Sequence, residues 1–259
     1  MKKALVTGAG HRIGREIAVY LAARGYEVVV HYASSDAGAR ETVRRIAEQG
    51  GRAHALRADL LDDDATEQLF VDARDALDGP VTCLINNASI FEHDTIGTAT
   101  RESWDRHMQS NLRAPFLLSQ AMAAQGLGPA RDSNGEPVAT GLIVNMVDQR
   151  VRKLTPDFMT YTLAKAALWT LTQTMARAMA PAIRVNAIGP GPTLQGGRQE
   201  AEQFAQQRAA TVLGRGSDPQ DITAAVGYFL DAPAVTGQLL CVDGGQHLAW
   251  QTPDVTDVE

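Results

Sequence analysis

A tyrosine and a lysine four residues apart, Tyr161 and Lys165, open a long segment in which Ala164, Leu168, Leu171 and Met175 recur at helical spacing. On a helix, residues i and i+4 share a face, so the phenol and the ammonium project together. A nearby cation favours phenolate, so the expected effect is a tyrosine pKa lowered from about 10 toward the working pH. Such a phenol can give or take a proton during a reaction. The lysine also stands out by scarcity. Of 24 basic residues only four are lysine (Lys2, Lys3, Lys153 and Lys165) and the other 20 are arginine. Arginine would serve equally well for solvation, so a lysine here argues for chemistry that needs a compact ammonium.

A second constellation lies near the start of the chain. Thr7-Gly8-Ala9-Gly10-His11-Arg12-Ile13-Gly14 follows a short apolar run and leads into a segment with Ile13, Ile17 and Leu21 at helical spacing. Small residues let the backbone turn sharply, and a helix start then offers free N–H groups and a positive dipole end to a pyrophosphate. Arg12 adds a permanent charge and a bidentate donor; the alternative is a solvated arginine at a helix start. Further on, His31-Tyr32-Ala33-Ser34-Ser35 has no carboxylate before Asp36. Ser34 and Ser35 offer hydroxyl donors, and His31 with Arg12 offers positive potential. The serines could equally cap a helix beginning near Asp36. Asp59-Leu60 presents a contact or a helix cap in the same way.

The elements that must position these groups alternate regularly. Lys3–Thr7, Glu27–His31, Arg52–Arg57, Val81–Asn86, Leu142–Val147, Ile183–Ile188 and Gln238–Val242 read as strands, several of them apolar throughout. Seven strands separated by helices make a run of βαβ units. The expected fold is an α/β, Rossmann-type doubly wound parallel sheet with helices on both faces, in which ligands sit at the carboxyl ends of the strands. Two stretches interrupt the alternation: Gly126–Gly141, a surface excursion with Asn134-Gly135 at a turn, and residues 189–215, a substrate-binding lid. No linker composition divides residues 1–259, which read as one domain.

Composition bounds the function. The 259 residues are 44% hydrophobic and 21% charged, with a net charge of −6, which disfavours nucleic acid and anionic membranes as main partners. No apolar run reaches the roughly 18 residues needed to span a bilayer, and no signal peptide is apparent. Cys83 and Cys241 lie in strand-like runs without metal spacing, and read as two buried free thiols in a reducing cytoplasm.

The glycine turn resembles the T-G-x-x-x-G-x-G turn of the short-chain dehydrogenase/reductase family, with Arg12 in place of the middle glycine. Asn86-Asn87-Ala88-Ser89 resembles that family's N-N-A-G, Tyr161-Thr-Leu-Ala-Lys165 its Y-x-x-x-K, and Val242-Asp243-Gly244-Gly245 closes the last strand as in the family. The resemblance runs through nearly the whole chain and implies an oxidoreductase using a nicotinamide cofactor. By it, Gly8, Gly10, His11, Arg12, Ile13 and Gly14 hold the pyrophosphate. His31, Tyr32, Ser34, Ser35, Asp59 and Leu60 flank the adenosine, and Asn87, Ala88, Ser89, Tyr161, Lys165, Pro190, Gly191 and Thr193 flank the nicotinamide half. An NAD-preferring site would place a carboxylate after the second strand, so NADP(H) is expected over NAD(H). Asn111 is expected to support Lys165 through water, and a homotetramer is the family's usual assembly.

One position departs from the pattern. Where the family keeps a carbonyl-binding serine, about a dozen residues before the tyrosine, this chain reads Asn145-Met146-Val147-Asp148, and no serine lies between Gly141 and Tyr161. An ionised carboxylate cannot donate to a carbonyl and repels an oxyanion, but it can accept from a ring N–H or, when protonated, deliver a proton to a basic nitrogen. The expected electrophile is a C=N bond in a nitrogen heterocycle. Arg12, Asn-Ala-Ser with Phe91, and Met-Val-Asp together resemble the pteridine reductases and the dihydromonapterin or dihydrofolate reductases of the family. That resemblance implies Asp148, Tyr161, Lys165 and Asn111 as catalytic residues, with Arg12, Ser89, Phe91 and Leu194 at the substrate. Phe91 could otherwise be a core aromatic, and Asp148 a partner of Arg150 or Arg152. Trp250 stands about where a pteridine reductase carries an arginine from a neighbouring subunit. Rival expectations are a carbonyl reductase of the 3-oxoacyl thioester or small ketone type, and an NADP(H)-binding sensor or scaffold with little catalysis.

Overall fold

The computed structural model describes residues 2–196 and 199–250. β1 (Lys2–Val6), β2 (Tyr26–Tyr32), β3 (Ala53–Arg57) and β4 (Cys83–Asn86) are joined by α1 (Arg12–Ala23), α2 (Asp36–Glu48) and α3 (Asp63–Ala76). After β4 come α4 (Arg101–Met108), α5 (Ala114–Ala124), the short strands β5 (Ala130–Arg131) and β6 (Pro137–Val138), and β7 (Gly141–Met146). α6 (Met159–Ala178), β8 (Ile183–Pro190), α7 (Ala201–Ala209), α8 (Pro219–Asp231) and β9 (Leu239–Val242) follow.

Seven strands form one sheet in the order β3-β2-β1-β4-β7-β8-β9, and every neighbouring pair is parallel. The strands are apolar throughout because both faces are covered. Leu5, Val29, Leu84 and Ile143 pack with residues of α3, α5 and α6, while Val6, Val28, Val30, Ile85 and Val144 pack with α1, α2 and α8 on the other face. All of these strand residues are fully buried. The expected strands therefore form with ends shifted by one or two residues. β8 runs on to Pro190 because Gly189 and Pro190 still pair with Cys241 and Val242 of β9. Cys83 is buried as expected, but Cys241 is only half-buried, because β9 is an edge strand.

The chain runs outward from β1 to β3 and then crosses back to β4, so the strand order reverses between β1 and β4. A crevice opens there above the carboxyl ends, the usual ligand position in such sheets. The glycine turn leaves β1 and Asn86-Asn87-Ala88-Ser89 leaves β4 into the same crevice; Met146-Val147-Asp148 leaves the neighbouring β7. Two local features lay outside the sequence expectation. The excursion before β7 carries an antiparallel pair, β5 with β6, closed by Gly135 at φ +79° and by Asp132 accepting from the Asn134 and Glu136 N–H groups. Between α4 and α5 the helix widens into a π turn at Gln109–Arg113. Pro115, which has no N–H, cannot serve the Asn111 carbonyl four residues back. Among the described residues no helix is long and apolar enough to cross a membrane.

The glycine turn is locked against β4. A Cβ on Gly14 would stand 2.4 Å from the Gly8 carbonyl oxygen and 2.5 Å from Asn87 Nδ2, and that Asn87 amide already donates to the Thr7 carbonyl at 2.8 Å. Overpacking of a tight site costs about 1–3 kcal/mol. Gly14→Ala is therefore expected to lower the unfolding free energy by about 1–3 kcal/mol, read as a lower urea midpoint at unchanged m; an unchanged midpoint would show that the turn yields freely.

Candidate active site

Helix α6 starts just beyond the end of β7 and presents Tyr161 and Lys165 on one face, both nearly fully buried. The Tyr161 hydroxyl donates to Asp148 Oδ2 at 2.9 Å, and Asp148 Oδ1 accepts the Arg150 N–H at 2.8 Å. Asp148 is thus not an ion-pair partner of Arg150 or Arg152. The Arg150 guanidinium instead donates to Thr155 and lies over the Phe158 ring, 4.8 Å from its centroid. Lys165 Nζ donates to the Met146 carbonyl at 2.8 Å and sits 5.7 Å from the centroid of the Tyr161 ring.

Burial dominates the protonation of this trio. It raises Asp148 above the ordinary carboxylate range, against the pull of the Arg150 N–H and charge, the phenol and Lys165. It also pushes Tyr161 well above 10, and the Asp148 carboxylate pushes in the same direction, while Arg150 and the Ser89 hydroxyl oppose it. Lys165 is driven down to about 8 by burial, with Asp148 opposing. The expected lowering of the tyrosine pKa by lysine is overturned. The carboxylate is the nearer charge, and the ammonium is spent on a main-chain carbonyl.

Phe91 is half exposed at the cavity wall rather than in the core. Its ring lies parallel to Phe158 with centroids 4.3 Å apart, and edge-on to Tyr161 at 4.7 Å. Phe158 was not foreseen; it stands just ahead of α6 with φ +57°, a conformation no sequence period signals. His107 was also missed. Its Nε2 accepts the Glu92 N–H at 3.2 Å, so Nδ1 carries the proton and donates to Thr160 Oγ1 at 2.6 Å; Thr160 in turn donates to buried Asp94. This buried chain ties the loop bearing Phe91 to the start of α6. Asn111 spends its side chain on the Ile90 N–H and carbonyl. No direct bond to Lys165 is present among the described residues, where Lys165 Nζ donates to Met146 instead.

A cavity of about 660 Å³ joins this cluster to the glycine turn. Gly8, His11, Arg12, Ile13 and Gly14 line it at the turn, and His31, Ser34, Asp59 and Leu60 at the ends of β2 and β3. Asn87, Ala88, Ser89, Pro190 and Gly191 line it toward Asp148, Tyr161 and Lys165. Ala33, Ile90, Arg106, Ser110 and Val147 line it without having been foreseen: the apolar three carry no chemical signal by type, and Arg106 and Ser110 stand in no motif. The remaining expected residues lie off the wall. Gly10 packs against α2, its carbonyl held by Arg15, and the Tyr32 hydroxyl donates to Asp36. Ser35 opens α2 without capping it, and Thr193 turns inward to Ser217 at 2.6 Å. Leu194 gives its carbonyl to Arg12 Nη2 at 3.0 Å, and Gln195 accepts from Nη1 at 2.7 Å.

His31 corrects one electrostatic expectation. Its Nδ1 accepts the Gly8 N–H at 3.1 Å, leaving Nε2 to donate to the Ala58 carbonyl at 3.2 Å. Burial lowers its pKa to about 4, so it is a neutral brace of the glycine turn and supplies no positive potential. The shape and chemistry of the cavity nonetheless fit a dinucleotide. Its length runs from the N-terminal end of α1 to the Tyr161 phenol, and Ser34 on its wall keeps a hydroxyl without a partner among the described residues.

Comparison with known proteins agrees with this geometry. Residues 8–247 match a family model described as enoyl-(acyl carrier protein) reductase. The crystal structure of FolM alternative dihydrofolate reductase 1 from Brucella suis, in complex with NADP, superposes with a TM-score of 0.90 at 42% identity, over 98% of each chain. The 3beta-hydroxysteroid dehydrogenase 1 of Eggerthella lenta is 35% identical over 95% of this chain and 94% of its own. The 3-oxoacyl-[acyl-carrier-protein] reductase FabG of Staphylococcus epidermidis is 30% identical over 95% of this chain and 99% of its own. Matched from Gly8 to His247 and sharing the fold of these enzymes, the chain belongs to the short-chain dehydrogenase/reductase family of oxidoreductases.

Proposed function

We propose that the protein is an NADPH-dependent reductase of a pterin-like nitrogen heterocycle. The observation that carries this reading is the buried hydrogen bond between Tyr161 and Asp148, at the place where a carbonyl reductase of this family keeps a serine. Reduced nicotinamide, when bound, supplies a hydride to the carbon of the C=N bond. The protein must then supply one proton to the nitrogen. Tyr161 is held protonated by burial and by its neighbour, which suits an acid rather than a base. Asp148, with its raised pKa, replaces that proton or donates its own, and solvent restores it. Lys165 holds the nicotinamide ribose, and the half-exposed Phe91, braced by Phe158, stacks a flat ring. Arg12 and Ser89 complete the substrate side, under a lid that begins after β8 with Leu194 and Gln195, whose carbonyls Arg12 holds. The similarity to the FolM reductase supports the same reading.

A carbonyl reductase is the second reading. The Ser89 hydroxyl lies close enough to Tyr161 to act on its pKa and could bond a carbonyl oxygen. Named relatives include a hydroxysteroid dehydrogenase and a 3-oxoacyl reductase.

NADPH oxidation followed by absorbance separates the two. Turnover is expected with dihydropterin, dihydrofolate or quinonoid dihydropterin and not with an acetoacetyl thioester; the reverse pattern overturns the pterin reading. Asp148→Asn is expected to lower kcat by about 10²- to 10⁴-fold, the usual range for loss of a positioned acid, and Asp148→Ser to gain ketone reduction. The pH dependence has a definite sign. A raised Asp148 pKa keeps its proton available below that pKa and loses it above, so kcat should fall on the alkaline side, and the limb assigned to Asp148 should vanish in Asp148→Asn.

A further inference from the structure

We infer that Arg57, at the end of β3, supplies the charge that selects a 2′-phosphate on the adenosine half of the cofactor. The inference rests on the NADP(H) reading above and names the residue that enforces it. A phosphate at that position carries close to two negative charges and is best met by a guanidinium in a bidentate arrangement. His31 cannot do this, being neutral and buried. The nearby arginines on helices are engaged elsewhere. Arg12 holds the Leu194 and Gln195 carbonyls, Arg15 holds Thr42 and the Gly10 carbonyl, and the charge of Arg40 is answered by the Asp36 carboxylate in an i,i+4 ion pair at 2.8 Å.

Arg57 is placed and free in the required way. It is the register neighbour of Tyr32 across the β2–β3 pair, so its side chain rises beside the turn that follows β2. Its Nε donates to the Ala33 carbonyl at 3.2 Å, which anchors the guanidinium next to Ser34 on the cavity wall. It forms no ion pair among the described residues, so its terminal N–H groups remain available. Asp36, the one acid of the turn, is already satisfied by the Tyr32 hydroxyl at 2.8 Å and by Arg40. A 2′-hydroxyl would have to share that carboxylate with two donors already in place, unlike the open acid of an NAD site. The unpartnered Ser34 and Ser35 hydroxyls add donors on the same side. Ser35 stands at the start of α2 without the side-chain capping bond that would have used its hydroxyl.

The test is titration calorimetry of the whole protein with adenosine 2′,5′-bisphosphate and with 5′-ADP, in parent, Arg57→Gln and Arg57→Lys. A charged hydrogen-bonded contact corresponds to about a 10- to 100-fold change in affinity. Arg57→Gln is expected to weaken the bisphosphate by that factor and leave 5′-ADP unchanged, which also verifies the fold of the variant. Arg57→Lys should recover part of the loss. The ratio of kcat/KM for NADPH over NADH should fall in step with binding. A parent that prefers the bisphosphate, with a Gln variant that keeps the same preference, overturns the assignment of Arg57 alone. A parent that binds the two nucleotides alike overturns the NADP(H) reading and the assignment together.

Discussion

Lys165 carries its ammonium into a fully buried position with a single hydrogen-bond acceptor among the described residues, the main-chain carbonyl of Met146. A buried ammonium costs several kcal/mol unless the surroundings answer its charge. Here the answer comes from three directions: the carbonyl at the end of β7, the face of the Tyr161 ring, and the charge of Asp148. Each of these depends on β7 and α6 keeping their mutual position. A buried polar ladder beneath the site fixes it, with Asn86 donating to Asn145 at 2.8 Å and Asn145 donating to Thr172 at 2.9 Å. The ladder crosses from β4 through β7 to α6, and so holds the catalytic helix against both strands that feed the crevice.

The same burial decides what the trio can do. Three titratable groups in one dry cluster cannot be ionised independently, and their protons belong to the set rather than to single residues. Tyr161 and Asp148, both raised by burial, favour their protonated forms, whereas Lys165, driven down to about 8, gives up its proton more readily than a solvated lysine. A serine in place of Asp148 would remove the group that burial and charge use to raise the phenol. Aspartate in place of serine therefore changes more than a contact to substrate; it adds to the upward push that burial already exerts on the tyrosine.

Residue types and spacing made the skeleton legible. Fully apolar strands, the glycine turn and the i, i+4 pair are local patterns, and each formed close to where it was expected. What the sequence hid depends on distance and burial. His31 reads as a cation by type, but its place between the Gly8 N–H and the Ala58 carbonyl makes it neutral. Lys165 is four residues from Tyr161 in sequence, yet burial, and then Asp148, 13 residues away and in a direct hydrogen bond, push the phenol upward. The parallel stack of Phe91 on Phe158 joins residues far apart in the chain, and the π turn at Gln109–Arg113 has no periodic signature at all.

Arg12 shows how a departure from the family pattern can be physically consistent. Its φ of +54° is in the left-handed region, where a non-glycine residue is disfavoured by about 1–2 kcal/mol. The strain belongs to the turn itself, because Gly8 and Gly14 on either side are fixed by close contacts with Asn87 and, for Gly8, Ala88, just beyond β4. It persists whatever the side chain touches, so a compensating interaction is required. In this structure two guanidinium bonds to the carbonyls of Leu194 and Gln195 provide it, and they draw the segment after β8 over the glycine turn. An anion at the turn could replace those carbonyls as acceptor without altering the backbone. Glycine, the residue that strain alone would select, could reach neither wall of the cavity.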